Sequence, residues 1–466
     1  MTKPVAILGA GITGLTAAFY LKRAGIPVVV YEHSNRVGGA IQSTREDGYL
    51  AESGPNTILE TSPRIAQLIR DAGLESRRMG SSSAPETRYL VRYGRAIALP
   101  ESPLGFLRTD LFSWKAKLAL LREPFLPKRR DVVEESVADF VTRRLGREYL
   151  DQAIDAMVGG VYAGDPSRLS VAHAFPKLAE LEQKYGSLIK GSILGAHERN
   201  KRGEISKNRA PKFSFDEGLQ VLPDALAAFL GESIQLNTLV TEILQESRGW
   251  KLSLQSKGEE SLSEHSAVIY AGTAYRLSEM KVKLESTSLD LTPFSEIRYP
   301  PVASVVLGFK QEEVVHPCQG FGALIPKIEG FKILGTIFSS SLFPNRSPGG
   351  HITLTSYIGG ERYPELALLP PEKIYALVEC DLQRLFGVKG EPTFRHCAIY
   401  PKAIPQYNLG YGRYQELMDQ IEDRVPQFYF AGNYRHGISL SDSILSGCKI
   451  AERVEKSLLF RQSLFS

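Results

Sequence analysis

The stretch VAILGAGITGLTAAFYLKRAGIPVVVYEHS near the N-terminus constrains this chain more than any other feature. It reads as an apolar strand, a glycine turn, an Ala/Leu-rich helix stopped at Gly25, and a second apolar strand that ends in an acid, which is a βαβ unit. Gly9, Gly11 and Gly14 form G-x-G-x-x-G: the first makes the tight turn, the second lets a pyrophosphate approach the backbone, and the third packs helix closely on strand. The helix N-terminus then stabilises phosphate charge through its unpaired N–H groups and dipole. Glu32 follows at the end of the second strand, where its carboxylate accepts the ribose hydroxyls of an adenosine and repels a 2′-phosphate. A glycine turn alone also occurs in ordinary α/β proteins. Strand, helix, strand and acid in register are what point to a bound dinucleotide.

The rest of the composition narrows the class. A chain of 466 residues, 43% hydrophobic and 23% charged, is long enough for two or three compact units and too apolar for disorder. With 56 basic against 52 acidic residues, the net charge of +4 leaves no nucleic-acid footprint over the whole surface, so no nucleic-acid partner is expected. The cysteines at 318, 380, 397 and 448 show neither CxxC pairing nor metal-ligand spacing with the histidines, so buried thiols in a reducing compartment and no metal are expected. Met1 to Pro4 run directly into the first strand, leaving no room for a cleavable signal, and no apolar window approaches bilayer-spanning length. Membrane contact is therefore expected to be peripheral.

A second glycine loop lies near the other end. Phe428-Tyr429-Phe430-Ala431-Gly432-Asn433 reads as a buried strand breaking at Gly432, and Ser441-Asp442 is positioned to cap a helix through Ile444, Leu445, Ile450 and Val454. A plain strand-loop-helix has the same pattern. Between the two ends, Gly218-Leu219 opens a helix, followed by alternating segments around 234–244 and 250–254 and the apolar run Ala267–Ala271.

Arg36-Val37-Gly38-Gly39 comes directly after the acid and Glu52-Ser53-Gly54-Pro55-Asn56-Thr57 a turn later. With the C-terminal loop, these motifs resemble the two-dinucleotide-fold flavoproteins of the amine oxidase superfamily. Further stretches are similar to the protoporphyrinogen oxidases within it: Arg88-Tyr89-Leu90-Val91, Gly160–Asp165, Gly320–Pro326, Ile404-Pro405-Gln406-Tyr407 and Gly432–Asp442. The resemblance covers essentially the whole chain. It implies an α/β (α+β mixed) fold: a Rossmann-like FAD-binding domain from 1–84, 214–280 and 425–466, a mixed-sheet substrate domain from 85–100 and 281–424, a helical membrane-binding insertion over 101–200, and a loop at 201–213.

For the cofactor, the resemblance implies contacts from Ala10, Ile12 and Thr13 beside the fingerprint glycines, from His33 and Arg36 after the second strand, and from Gly38, Gly39 and Ala40 in the glycine-pair loop. It adds Gly54, Pro55, Asn56 and Thr57, the Val240 backbone at the adenine, Tyr400, and Gly432, Ile438, Ser439 and Leu440 at the flavin end. The FAD is expected to be non-covalent, because Lys402–Tyr407 lacks the attachment cysteine of monoamine oxidases. The tryptophan motif of amine oxidases is also missing, since Trp114 and Trp250 both lie far in sequence from the C-terminal strand.

The implied reaction is six-electron oxidation of protoporphyrinogen IX, hydride passing to flavin N5 and oxygen accepting the electrons as hydrogen peroxide, with no catalytic side chain of its own. Arg88 would pair a propionate, Phe321, Leu324 and Tyr357 would line a flat slot, and the Gly160 carbonyl would face the pyrrole N–H groups. Relatives often have a more flexible apolar residue where this chain has Tyr357. From the residues alone Arg88 also reads as a solvated loop arginine near Arg92 and Arg95, and Phe321 and Leu324 as core. Coproporphyrinogen III as substrate, an amine oxidase or desaturase activity, and a catalytically silent FAD-binding protein are the alternatives.

The resemblance also implies a cytoplasmic homodimer attached peripherally to the anionic face of the inner membrane. Leu104, Phe106, Leu107, Leu111, Phe112 and Trp114 beside Lys115, Lys117 and Lys128-Arg129-Arg130 suit such a surface, as they suit ordinary core helices with solvated charges.

Overall fold

The computed structural model describes residues 3–81, 87–129, 133–202 and 210–465, with the side chains of 196–202 and 461–465 left out. Its first sheet is wholly parallel and draws on distant parts of the chain. Ile234–Gln235, Val28–Tyr31, Val5–Leu8, Ala267–Tyr270 and Phe428–Phe430 lie side by side in that order. Strands buried on both faces need continuous apolar runs, and Val5–Leu8, Ala267–Tyr270 and Phe428–Phe430 are buried at every residue. The helix Ile12–Arg23 returns the chain across this sheet and stops where Gly25 takes φ 79°, its N–H bonding Lys22 O.

The long helix Leu440–Phe465 packs on Ile12–Arg23, so the last strand-loop-helix sits beside the first. Gly447 permits the approach: a Cβ there would lie 2.6 Å from Thr13 O. The cap of this helix differs from expectation. Ser439, not Ser441, accepts the N–H of Asp442, while the Asp442 carboxylate reaches back to Ser439. Ser441 instead exchanges hydrogen bonds with the backbone of Leu59.

The second large unit is a seven-stranded sheet in the order Phe394–Tyr400, Val302–Lys310, His351–Gly359, Ile333–Phe338, Gly322–Leu324, Arg88–Arg92, Arg95–Ala98. On one face Ala303, Val305, Leu307 and Phe309 form a core with Ile374, Val378, Leu382 and Phe386 of the helix Pro371–Phe386. On the other face Val306 packs with Tyr49 and Ala51 of the hairpin strand Tyr49–Glu52, and Gly308 lies against the Tyr49 ring.

Helices dominate 103–202, beginning with Pro103–Arg108 and Trp114–Arg122 and ending with Leu188–Arg202. Arg144 and Glu123 form a fully buried ion pair at their centre, and Glu123 also accepts Ser187 Oγ and the N–H groups of Leu188 and Ile189, which caps the last helix. Expectations for this region need correction. A loop at 201–213 does not hold at its ends: the helix continues through Arg202 and a strand, Lys212–Phe215, begins before Phe213, while 203–209 lie outside the described residues. Leu111, Phe112 and Lys117 are buried, the Lys117 ammonium capping the carbonyls of Leu107 and Thr109; Arg130 lies outside the described residues. Between residues 104 and 125 the exposed large apolar groups among the described residues are Leu104, Leu107, Trp114, Leu118, Leu121 and Phe125. No helix among the described residues is long and apolar enough to cross a membrane. Of the four cysteines, Cys318 and Cys448 are buried, Cys397 is half-buried and Cys380 is exposed, against the expectation of four buried thiols.

Candidate active site

The glycine fingerprint forms a cradle whose requirements differ residue by residue. A Cβ on Gly14 would collide with the Gly9 carbonyl, and one on Gly9, at φ 111°, would crowd Ala271 and Gly272. Those glycines serve the fold. Gly11 does not: its φ of −70° suits any residue, and no protein atom lies within 4 Å of an added Cβ. It stands at the N-terminus of Ile12–Arg23, where no side chain caps the helix and the first turn holds no acid. Free backbone N–H groups, a positive dipole end and a backbone open to close approach are the chemistry a pyrophosphate needs, so the residues present fit a dinucleotide.

Glu32 is buried, its carboxylate accepting Ala10 N–H at 2.8 Å and the N–H and hydroxyl of Ser34. A carboxylate offers about four acceptor sites, so capacity for ribose remains. His33 is exposed with Nδ1 2.9 Å from Glu32. Thr13 spends its hydroxyl on Ser443 O, joining the two helices. Arg36 folds back on its own loop, donating to the carbonyls of Val37, Ile41 and Gly39, which braces the glycine pair; Gly38 N–H in turn bonds Ala10 O. The strand Thr238–Glu246 passes beside Glu32 through the Thr238 N–H, and a bulge between Val240 and Glu242 frees backbone there.

In the loop Glu52–Asn56, Gly54 is pressed so closely on Ala40 that a Cβ would meet its carbonyl, with Tyr400 Oη close behind. Tyr407 donates its hydroxyl to Asn433 O and accepts Gly437 N–H, while Ser446 Oγ accepts Gly432 N–H. The C-terminal loop is thus held by its own hydrogen bonds, and Ile438, Ser439 and Leu440 are half-buried along it.

The substrate candidates meet through strand register. Residues paired across a sheet share a face, so Leu90, Leu324, Gly335, Tyr357, Ser304 and Ala398 form one row. Arg88 and Tyr400 lie two residues along their strands and share that face. Gly335 leaves no side chain between Leu324 and Tyr357. The Arg88 guanidinium rests 5.6 Å from the centre of the Phe321 ring. Gly160 touches Leu324 from the opposite side, where a Cβ would strike its Cδ2. Ala163, at φ 50°, closes the helix Asp155–Tyr162 on Gly159 and Val158, which leaves Gly160 O among the last-turn acceptors. Tyr357 reaches the cofactor loop: its Oη accepts Asn56 Nδ2 at 2.6 Å and donates to Gly54 O at 3.3 Å.

Arg92, left open from sequence, is engaged elsewhere, donating to Leu111 O and pairing Glu148 at 3.2 Å; Arg95 is exposed. Sequence reasoning missed three features of the site. Ile337 shares the slot face two residues beyond Gly335, a position that period-two alternation in Ile333–Phe338 could have supplied. Ser53 Oγ lies 2.9 Å from His396 Nε2. Glu52 is buried and pairs Arg346 at 3.4 Å, while accepting Ser43 Oγ and Leu219 N–H. Burial pushes the Glu52 carboxyl up to about 7, with the Arg346 charge and those hydrogen bonds pulling against it. No local sequence signal marks either pair.

Residues 12–455 match the family described as flavin containing amine oxidoreductase. The chain is 38% identical to protoporphyrinogen oxidase 2 of Arabidopsis thaliana over 97% of this chain and 94% of that one. It is 30% identical to coproporphyrinogen III oxidase of Staphylococcus aureus, covering 97% and 99%. Among solved structures, one from Exiguobacterium sp. 255-15, provisionally described as a protoporphyrinogen oxidase, superposes with a TM-score of 0.81 at 22% identity, covering 98% and 99%.

Proposed function

Because the chain belongs to the flavin-containing amine oxidoreductases and has porphyrinogen oxidases among its full-length relatives, we propose that this FAD-dependent oxidoreductase converts protoporphyrinogen IX to protoporphyrin IX. The observation that carries the reading is the shared sheet face. It sets an arginine beside Phe321 at one end, a flat apolar wall of Leu324 and Tyr357 in the middle, and the Gly54–Asn56 loop at the other end. A flat, largely apolar macrocycle with acidic side arms suits that layout.

Bound FAD supplies the two-electron acceptor chemistry, and oxygen renews it with release of hydrogen peroxide. The protein's part is placement. Arg88 pairs a propionate with a planar guanidinium that its contact with Phe321 holds in place. Gly160 O takes a pyrrole N–H. Leu324 and Tyr357 exclude water from the ring, and Tyr357 stays neutral because burial raises its phenol.

Protoporphyrinogen, with two propionates, is favoured over coproporphyrinogen, with four. Of the arginines near the slot, Arg92 is committed to Glu148, and desolvating four carboxylates against one guanidinium is costly. The test is kcat/KM for both porphyrinogens by porphyrin fluorescence in air. A higher value for coproporphyrinogen III overturns the substrate, and inertness with both overturns the porphyrinogen reading. The exposed stripe Trp114, Leu118 and Leu121, with Phe125 and the exposed Lys115, supports peripheral attachment to an anionic membrane, with a homodimer as the assembled form.

A further inference from the structure

Tyr357 carries a hydroxyl at a wall position where an apolar side chain would serve equally well. That hydroxyl reaches the segment Glu52–Asn56, where it accepts from Asn56 Nδ2 at 2.6 Å and donates to Gly54 O at 3.3 Å. Asn56 Nδ2 lies 3.3 Å from the same Gly54 carbonyl, so three polar groups close on one point. The segment is tied to the large sheet again by Ser53 to His396, and to the turn Pro344–Arg346 before the strand His351–Gly359 by Glu52 to Arg346. Its far side is pressed against Ala40, at the end of the glycine-pair loop. A shift of Gly54 is therefore passed to the glycine-pair loop, since neither neighbour is a flexible side chain.

We propose that the Tyr357 hydroxyl is a positioning group, which registers the Gly54–Asn56 loop of the cofactor cradle against the substrate-binding face of the sheet. The ring walls the slot, while the hydroxyl sets how far that wall stands from the loop. Alignment of two reactants is sensitive to such spacing, a misplacement of about 1 Å costing on the order of a hundredfold in rate. The phenol keeps its proton because burial raises it, so it remains a donor to Gly54 O across the working pH range. The inference rests on the flavoenzyme reading of the loop.

The test uses Tyr357→Phe, which keeps the ring and removes only the hydroxyl, in the FAD-loaded protein. Expected are unchanged FAD stoichiometry, a changed shape of the bound-flavin absorption band, a shifted flavin midpoint potential, and kcat down about tenfold with KM within about twofold. Asn56→Ala gives the same spectral change, and the double variant goes no further, because both residues act through one contact. A wild-type spectrum, potential and kcat in Tyr357→Phe would overturn the proposal, leaving the residue a passive wall. So would a raised KM with spectrum and kcat unchanged, which makes the hydroxyl a substrate ligand, or additive effects in the double variant. Spectrum and potential are read without substrate, so they decide the latch even if porphyrinogens prove inert, an outcome that would count against the proposed substrate alone.

Discussion

Gly11→Ala separates what the fold requires from what the cofactor requires. The added methyl meets no protein atom within 4 Å, and the backbone there, φ −70° and ψ 172°, is open to alanine. Two small terms act on stability: alanine is a poorer N-cap than glycine by roughly 0.5 to 1 kcal/mol, and removing glycine's freedom in the unfolded chain returns about 0.4 to 1 kcal/mol. They nearly cancel, so the apoprotein should melt within about 2–4 °C of wild type. The methyl does enter the space above the helix N-terminus that a pyrophosphate must reach. An overpacked contact of that kind costs about 1–3 kcal/mol, or roughly five- to 150-fold in FAD affinity. The assay pairs thermal unfolding of the apoprotein with an FAD titration by flavin fluorescence. Unchanged FAD affinity would refute the cradle assignment. A collapse of apoprotein stability would refute the division of roles, since that is the outcome expected for Gly14→Ala, whose methyl collides with the Gly9 carbonyl.

Other outcomes follow from the same geometry. Arg88→Ala should raise KM for protoporphyrinogen about ten- to more than a hundredfold with FAD retained, as a charge-assisted pair contributes roughly 1.5–3 kcal/mol; an unchanged KM would return Arg88 to a solvated position. Glu52, with an ordinary value of 4.5 raised to about 7, holds its proton longer in the folded state. Its contribution is therefore full below about pH 4.5 and falls as pH rises through 7, by up to ~3 kcal/mol. Urea midpoints at pH 5 and pH 8 should differ less in Glu52→Gln than in wild type, and equal differences would contradict the assignment. Replacing exposed Trp114 and Phe125 with serine should weaken sedimentation with anionic phospholipid vesicles by about tenfold or more, at ~1.5–3 kcal/mol per buried aromatic, with unfolding unaffected; wild-type sedimentation would exclude this face as the attachment surface.

The βαβ unit was legible because its signals are local: period, glycine spacing and acid lie within one stretch, and each has one backbone conformation that satisfies it. The slot was legible only as motifs. Arg88 meets Phe321, and Leu324 shares a face with Tyr357 across Gly335, through pairings between strands distant in sequence and through a bulge between Ile333 and Gly335 that resets the register. A one-residue slip would have sent Tyr357 to the opposite face. Ser441 and Ser439 have the same capping chemistry, and only the contact of Ser441 with Leu59 decides between them. The fate of Arg92 depended on where the helical segment brought Glu148, which no pattern around Arg92 encodes. Lys117 likewise turned inward because two carbonyls at the end of a short helix needed a donor.

The central claim, that the flavin held by the Gly11 cradle takes electrons directly from a porphyrinogen lying against the Arg88–Tyr357 face, is tested most directly by anaerobic rapid mixing of the FAD-loaded protein with protoporphyrinogen IX. The account predicts loss of the yellow flavin absorbance on mixing, two electrons per flavin, then its return with peroxide when oxygen is admitted, with porphyrin absorbance rising as three such rounds complete. Flavin that stays oxidised under protoporphyrinogen but bleaches with a polyamine would contradict it.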